Sequence, residues 1–185
     1  MGADDVVAAA SRGERWALTE LFRAYQPALL RFLRGQDRAA AEDLAGEVWM
    51  AVAQRLGDFV GDARAFRCWL LTIARNRLAD HRRRGARRRT TPLPAADIEP
   101  HLDAERSGDP AELVVADIAA QQAIDLLVSA LPAAQAEVVL LRVVGGLDVA
   151  EVAVVTGRSK GAVRVLQCRA LKRLGSSAAV GVVTP

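Results

Sequence analysis

Residues Leu131–Leu174 read LPAAQAEVVLLRVVGGLDVAEVAVVTGRSKGAVRVLQCRALKRL. Within this stretch Leu147 is an apolar residue just ahead of a helix start, Asp148 is a capping side chain and Glu151 follows it by three. That is the pattern of a capping box, with Val152 placed to staple back onto Leu147. The spacing predicts a short helix from Val149 to Thr156, closed by Gly157, the residue that tolerates a left-handed helix end. Ser159 can cap a second helix running through Leu174, with Val163, Leu166, Ala170 and Leu174 turned inward at steps of three and four. Two short helices across a tight Gly-bearing turn make a helix-turn-helix. The second helix and its lead-in carry Arg158, Lys160, Arg164, Arg169, Lys172 and Arg173 and no acid. Capping and turn alone fit a solvated helix hairpin equally well. The one-signed charge favours nucleic acid, and a helix about 24 Å long suits the DNA major groove.

Toward the N-terminus, Pro132 is placed to open a helix to Val144 that Gly145-Gly146 ends, and Pro110 opens another to Ala130. Ahead of these the composition changes sharply. Arg75–Arg89 holds eight arginines and one acid, Asp80, whereas Thr90–Asp117 holds seven acids, four prolines and one arginine. Four prolines cannot belong to one continuous helix, so residues 87–109 are predicted to be a linker. Its 23 residues would relax to roughly 26 Å and stretch to about 75 Å, against about 34 Å for one turn of DNA. Simple solvation of a disordered segment is the first reading of its acids; screening of the arginine run is the second.

Three longer helices and a short one are predicted before the linker. The short one is Asp4–Ala10. From Glu14, residues Trp16, Leu18, Leu21, Phe22, Tyr25, Leu29, Leu30 and Leu33 keep helical spacing, with Pro27 expected to bend or divide the helix. Asp37–Leu56 sets Leu44, Val48, Val52 and Leu56 at i, i+4 steps and carries Asp43, Glu47 and Gln54 on another face. Gly46 inside it costs about 1 kcal/mol against Ala, so a packing or docking reason is expected. Gly57–Arg64 is a loop, and Ala65–Arg84 a helix with Phe66, Trp69, Leu70, Ile73, Ala74 and Leu78 apolar. No β pattern and no repeat is present. The fold class is all-α: two small helical domains, 1–86 and 110–175, joined by a flexible linker, with 176–185 a mobile tail of small residues.

Apolar content of 51% with only 4% aromatic favours close-packed helices of Ala, Val and Leu. Net charge is +3 with a pI near 9.4. Cys68 and Cys168 lie far apart without CxxC spacing, which argues against a zinc site or disulfide framework and fits a reducing cytoplasm. Cys168 is read as a small apolar residue in preference to an exposed thiol, since no activating pair accompanies it. No apolar run reaches transmembrane length, and Met1–Ser11 lacks a signal pattern. A soluble cytoplasmic protein with no direct membrane insertion is expected. The only histidines, His81 and His101, lie in the arginine run and the linker. No catalytic constellation, phosphate-cradling Gly loop or metal spacing is present, so no enzyme, no cofactor, no metal and no small-molecule substrate is expected.

Two blocks of this sequence resemble a known family. AEDLAGEVW (Ala41–Trp49) with FRCWLLTIARNRLAD (Phe66–Asp80) is similar to region 2 of the extracytoplasmic-function (ECF) sigma factors of bacterial RNA polymerase. Leu131-Pro132, Glu137-Val138, GAVR (Gly161–Arg164) and RALKRL (Arg169–Leu174) are similar to region 4. Either block alone is weak, because many regulators end in such a helix-turn-helix; both in order, across a proline-rich linker, make a specific match.

The resemblance implies roles. Asp43, Leu44, Glu47 and Gln54 would dock on the RNA polymerase core at its β′ clamp helices, the β flap being the core's other contact. The loop Asp58–Arg64 and the helix Phe66–Arg84 would recognise and open the −10 element of promoter DNA through Asp62, Arg64, Arg67, Arg75, Asn76, Asp80, Arg82 and Arg83. Taking a base out of the stack costs a few kcal/mol, which phosphate contacts to the displaced strand offset. Phe66 and Trp69 are either stacking platforms or, at helical spacing, core; core is favoured. Arg158, Ser159, Lys160, Arg164 and Gln167 would meet the −35 element, with Arg169, Lys172 and Arg173 mostly on phosphates. Where the family often has Ser-Arg-Leu-His this chain has Val165-Leu166-Gln167-Cys168, and Gly46 and Ala136 stand where a Gln and an Arg are usual. An anti-sigma factor is implied as an inhibitory partner. Two other classes stay open at this point: a stand-alone helix-turn-helix regulator, which gives no reason for Arg75–Arg89, and an adaptor binding only protein.

Overall fold

The computed structural model describes residues 2–88 and 110–181, and every regular element among them is helical. Four helices come first: α1 (Ala3–Ser11), α2 (Arg15–Arg34), α3 (Ala41–Arg55) and α4 (Ala63–Arg88). A single 3₁₀ turn, Leu56–Asp58, follows α3. The second group is α5 (Pro110–Ser129), α6 (Ala133–Val143), α7 (Val149–Thr156) and α8 (Lys160–Gly181).

The apolar spacing places the core as expected. Leu44, Val48, Val52 and Leu56 of the α3 stripe are all buried, as are Phe66, Leu70, Ile73, Ala74 and Leu78 of α4. Pro27 does not divide α2, which is continuous from Arg15 to Arg34. The proline removes one donor from the ladder, but Leu21, Leu29, Leu30 and Leu33 are buried on both sides of it and hold the two segments as one rod. Trp49 ties α3 to α2, stacking at a tilt on Phe22 with centroids 5.1 Å apart and donating its indole N–H to Gln26 Oε1 at 2.6 Å.

Helix α4 is longer than predicted at both ends. It starts at Ala63 because Asp62 Oδ1 accepts the Ala65 N–H at 2.7 Å and Asp4 Oδ1 accepts the Ala63 N–H at 2.9 Å, two of the orphan donors of a helix start. At the other end arginines are good helix formers, so α4 runs on through Arg87 and Arg88, the first two residues of the span expected to be linker; residues 89–109 lie outside the described residues. Similarly α8 continues through Gly181 where a mobile tail from 176 was expected. Ala178 and Ala179 favour helix, and only 182–185 fall outside the description.

The two groups of helices are packed on each other. The buried residues of α1–α4 form one continuous cluster with Ile124, Val138, Leu140, Leu141, Leu147, Val152 and Val163. Gly35, at the end of α2, permits the approach: a Cβ there would lie 2.9 Å from Leu140 Cδ1 and 3.0 Å from Ile124 Cγ2. A Cβ on Gly145 would meet Leu71 Cδ1 at 2.7 Å. A smaller core of Leu131, Ala136, Val139 and Ala170 lies within the second group.

Candidate nucleic-acid interface

The helix-turn-helix forms as its punctuation dictates. Asp148 Oδ1 accepts the N–H groups of Ala150 (2.7 Å) and Glu151 (2.9 Å), and Glu151 Oε2 accepts the Asp148 N–H at 2.6 Å. Leu147 and Val152 are both buried, completing the staple. Gly157 ends α7 at φ +65°, and Ser159 Oγ accepts the Ala162 N–H at 3.1 Å to start α8. Val163 and Ala170 are buried, with Leu166 and Leu174 partly so, which turns the remaining face of α8 outward. Lys160, Arg164, Arg169, Lys172 and Arg173 are exposed on it, and among the described residues none of them enters an ion pair. Gln167 is half-buried on the flank, Ser159 is exposed, and Arg158 reaches 3.9 Å from Glu137. Cys168 is not a core substitute: its free thiol is exposed one helical turn beyond Arg164, because the inward positions are taken by Leu166 and Ala170.

The −10 candidates divide between two faces of α4. Residues 64, 67, 71 and 75 fall on one face at about 100° per residue, and 76, 80, 83 and 87 on another roughly 100–160° from residue 64. On the first face, Arg64 Nε donates to Glu151 Oε1 at 2.5 Å and its Nη2 to Asp148 Oδ2. Arg75 Nε donates to Glu137 Oε1 at 2.9 Å, and Arg67 borders a cleft of about 200 Å³ with Tyr25, Leu71, Val144 and Gly145. On the second, Asn76 is exposed and Asp80 pairs with Arg83. Arg77, Asp80, Arg83, Arg84 and Arg87 line a shallow basic cleft of about 300 Å³. Arg77 and Arg87 were not singled out from the sequence, although their places three residues before and seven residues after Asp80 carried the signal. Arg82 leaves both sets, donating to the carbonyl and the side chain of Gln36 at 2.9 and 3.0 Å.

The loop before α4 is anchored from below. Tyr25 donates its hydroxyl to the Ala63 carbonyl at 3.2 Å, and a Cβ on Gly61 would collide with Ala65 Cβ at 2.8 Å. Phe59, another residue the sequence did not mark, stacks on Trp69 with centroids 5.0 Å apart and meets Phe66 edge-on at 5.8 Å. Phe66 is fully buried, so it is core as favoured, and Trp69 is half-buried against it. Val60 stands 94% exposed at the loop tip, and Asp62 is exposed while it caps α4.

On α3, Asp43 and Gln54 are exposed and Glu47 is half-exposed. Leu44 is only 1% exposed; it belongs to the chain's own core and supports this face from behind. A Cβ on Gly46 would meet nothing within 4 Å. Among the described residues no packing reason for Gly46 is found. Glu47 faces Arg77 at 3.8 Å and Arg84 at 3.7 Å.

Three groups at the contact between the halves are shifted. The Asp148 carboxyl is held below its ordinary range, first by the Glu151 N–H and then by the Ala150 N–H and Arg64, against burial. The Arg64 guanidinium is raised, first by its bond to Glu151. Burial, then the charges of Glu151 and Asp148, push the Cys68 thiol up, which disfavours its thiolate.

Residues 21–88 match the family Sigma-70 region 2, and residues 121–174 match Sigma-70, region 4. The chain is 36% identical over 177 residues to the ECF RNA polymerase sigma factor SigD of Mycobacterium tuberculosis, covering 92% of this chain and 81% of SigD. The chain belongs to the ECF sigma factors. BldN of Streptomyces coelicolor, another ECF RNA polymerase sigma factor, is 34% identical over 172 residues; the match spans 92% of this chain and 63% of BldN. Among solved structures, CnrH in complex with the cytosolic domain of CnrY is similar at TM-score 0.62 and 23% identity, covering 99% of this chain and 100% of that one. The sigma factor RpoE of Bartonella quintana, in complex with the anti-sigma factor NepR, is similar at TM-score 0.60 and 23% identity, covering 85% and 93%. These two likenesses describe the shared fold. In this ECF sigma factor the region 2 match ends at residue 88, where α4 also ends. No helix among the described residues is long and apolar enough to cross a membrane.

Proposed function

We propose that this chain acts as a transcription initiation factor that binds RNA polymerase core and directs it to promoters carrying −35 and −10 elements. It is a specificity subunit and not an enzyme, acting in the cytoplasm, with an anti-sigma factor as its inhibitory partner. Residues 1–86 serve core docking and −10 opening, and residues 110–175 serve the −35 element. Asp43, Glu47 and Gln54 are assigned to the core. Lys160 and Arg164, at the α8 N-terminus, enter the major groove with Ser159, while Arg158, Gln167, Arg169, Lys172 and Arg173 flank it on phosphates and base edges. Asn76, Asp80 and Arg83, joined by Arg77, Arg84 and Arg87, track the displaced strand beside Arg64, Arg67, Arg75 and the Asp62 loop.

The observation that carries this reading is the order of surfaces along one chain. An acidic exposed face on α3, an arginine-lined α4 and a cationic, unpaired α8 succeed each other as a polymerase-borne promoter reader requires. The test is transcription in vitro with core enzyme over a pool of promoters. A defined set of start sites that depends on the added protein is expected; no promoter-directed RNA above core alone would refute the reading.

A further inference from the structure

The burial pattern of α8 fixes which of its residues would reach deepest into a groove. Val163 and Ala170 are fully buried and set the inward direction of the helix. At about 100° per residue, the line opposite them carries Gly161, Val165, Cys168 and Lys172, at steps of four, three and four. All four are exposed. Val165, at 49%, is a large apolar side chain left in solvent, and the Cys168 thiol is free. Neither packs on the apolar cores of the chain. Arg164 and Arg169 lie about 70° to either side of that line, exposed and without an ion pair among the described residues. Gln167 is roughly 130° from it and half-buried. The cations therefore straddle the crest of the helix, and the middle of the crest is apolar.

We propose that Val165 and Cys168 determine specificity in the −35 element by reading thymine, packing on the C5 methyl group that this base presents in the major groove. For the placing of α8 in duplex DNA this rests on the proposed function. Both side chains are short, so any base edge that meets them comes into van der Waals contact, within about 4–4.5 Å. Neither offers a strong donor or acceptor; a free cysteine behaves as a small hydrophobe with a weak S–H. Guanine N7 and O6, a cytosine amino group or an adenine edge brought against them would lose water and gain no partner, which penalises those bases. The thymine methyl has no such loss and gains apolar contact. Residues 165 and 168 stand about 4.5 Å apart along the helix axis, against about 3.4 Å between successive bases of a strand. The pair therefore spans neighbouring base pairs. Arg164 and Arg169, on the two flanks, are left for phosphates and base edges along the walls of the groove.

The probe is the strongest promoter from the transcription pool, bound by holoenzyme made of core and the full chain, with each thymine of its −35 element replaced in turn by deoxyuridine. That exchange removes one methyl group and leaves every hydrogen-bonding atom in place. With the parent chain, thymines in two neighbouring base pairs, on either strand, should each lose about fourfold in affinity, the effect of one methyl group taken out of apolar contact. With Val165→Ala one of these losses should shrink toward none, and with Cys168→Ser the other, while exchanges elsewhere act alike on parent and variant. Both side chains stand outside the cores, so the circular dichroism spectra of the variants should match the parent's. A side chain that served only the fold would not distinguish one methyl group from another. A −35 element without neighbouring thymines, a parent indifferent to the exchange, or equal losses in parent and variants each overturn the proposal. Should the chain give no transcripts with core, the proposed function falls, and the same exchange is made in duplexes that the chain alone selects from a random pool. Losses there that vanish in the variants sustain the thymine reading by itself; equal losses, or no selected duplex, end it.

Discussion

Helices α4 and α8 are both rich in arginine, yet they present it in opposite ways. On α8 the cations Lys160, Arg164, Arg169, Lys172 and Arg173 stand exposed, with no acid in the helix, and none of the five enters an ion pair among the described residues. On α4 nearly every arginine finds an acceptor: Arg64 and Arg75 on the second half of the chain, Arg77 and Arg84 on Glu47, Arg82 on Gln36 and Arg83 on Asp80. The difference teaches that a run of positive charge does not by itself make a nucleic-acid surface. What matters is which way the neighbouring acids turn: Glu137 and Glu151 lie on α6 and α7, which pack against α8, yet they pair with arginines of α4. A helix that binds duplex directly can afford to stand open. One that must first be delivered to melted DNA by a larger assembly can be held in exchangeable contacts until then.

The largest test of this contrast falls on the acids of α3. Asp43→Arg with Glu47→Arg should abolish association with polymerase core, read by co-elution, with the circular dichroism spectrum unchanged; undiminished core affinity would remove the docking face. Next is the open helix: Arg164→Ala should cost about 1–3 kcal/mol of discrimination between a cognate and a scrambled −35 duplex if it reads a base edge. An equal loss on both sequences would make it a phosphate contact, as on α4.

Similar in energy is the packing that brings the halves together. Gly35→Ala puts a methyl group against Leu140 and Ile124, and overpacking of this kind costs about 1–3 kcal/mol. Denaturant unfolding should then separate into two transitions, and a single unshifted transition would show that the halves do not depend on that approach. Arg83→Gln should lower the salt slope of open-complex formation by about one unit, the effect of one phosphate contact; an unchanged slope would assign the outer face of α4 to solvent.

The smallest effect concerns pH. The Asp148 carboxyl is depressed, chiefly by the Glu151 N–H. Its contribution to the α7 cap is therefore complete above the ordinary aspartate range and is lost as pH falls through the lower, folded value. Amide NMR shifts of Ala150 and Glu151 should titrate together below the ordinary range, and a midpoint at or above that range would contradict the cap.

Much of this molecule could be read along the chain because its determinants are local. The α7 capping box, the Gly157 stop and the α3 stripe of Leu44, Val48, Val52 and Leu56 are written in spacings of three and four residues, and each formed as read. Errors came where a local signal met a non-local one. Pro27 argued for a break, but burial on both sides kept α2 whole. Asp4, far from Ala63 in sequence, helped to start α4 early. Cys168 looked like a small apolar residue until the helix phase set by Val163 and Ala170 turned it outward.

The amino-acid order by itself settled the helical type of the elements, the helix-turn-helix and the segregation of charge, since caps, periodicity and net charge are sums over neighbours in the chain. Which arginines are held and which stand open was decided only in three dimensions. An ion pair between Arg64 and Glu151 depends on an approach between elements more than eighty residues apart, and that approach is made by glycines and buried leucines that carry no charge at all.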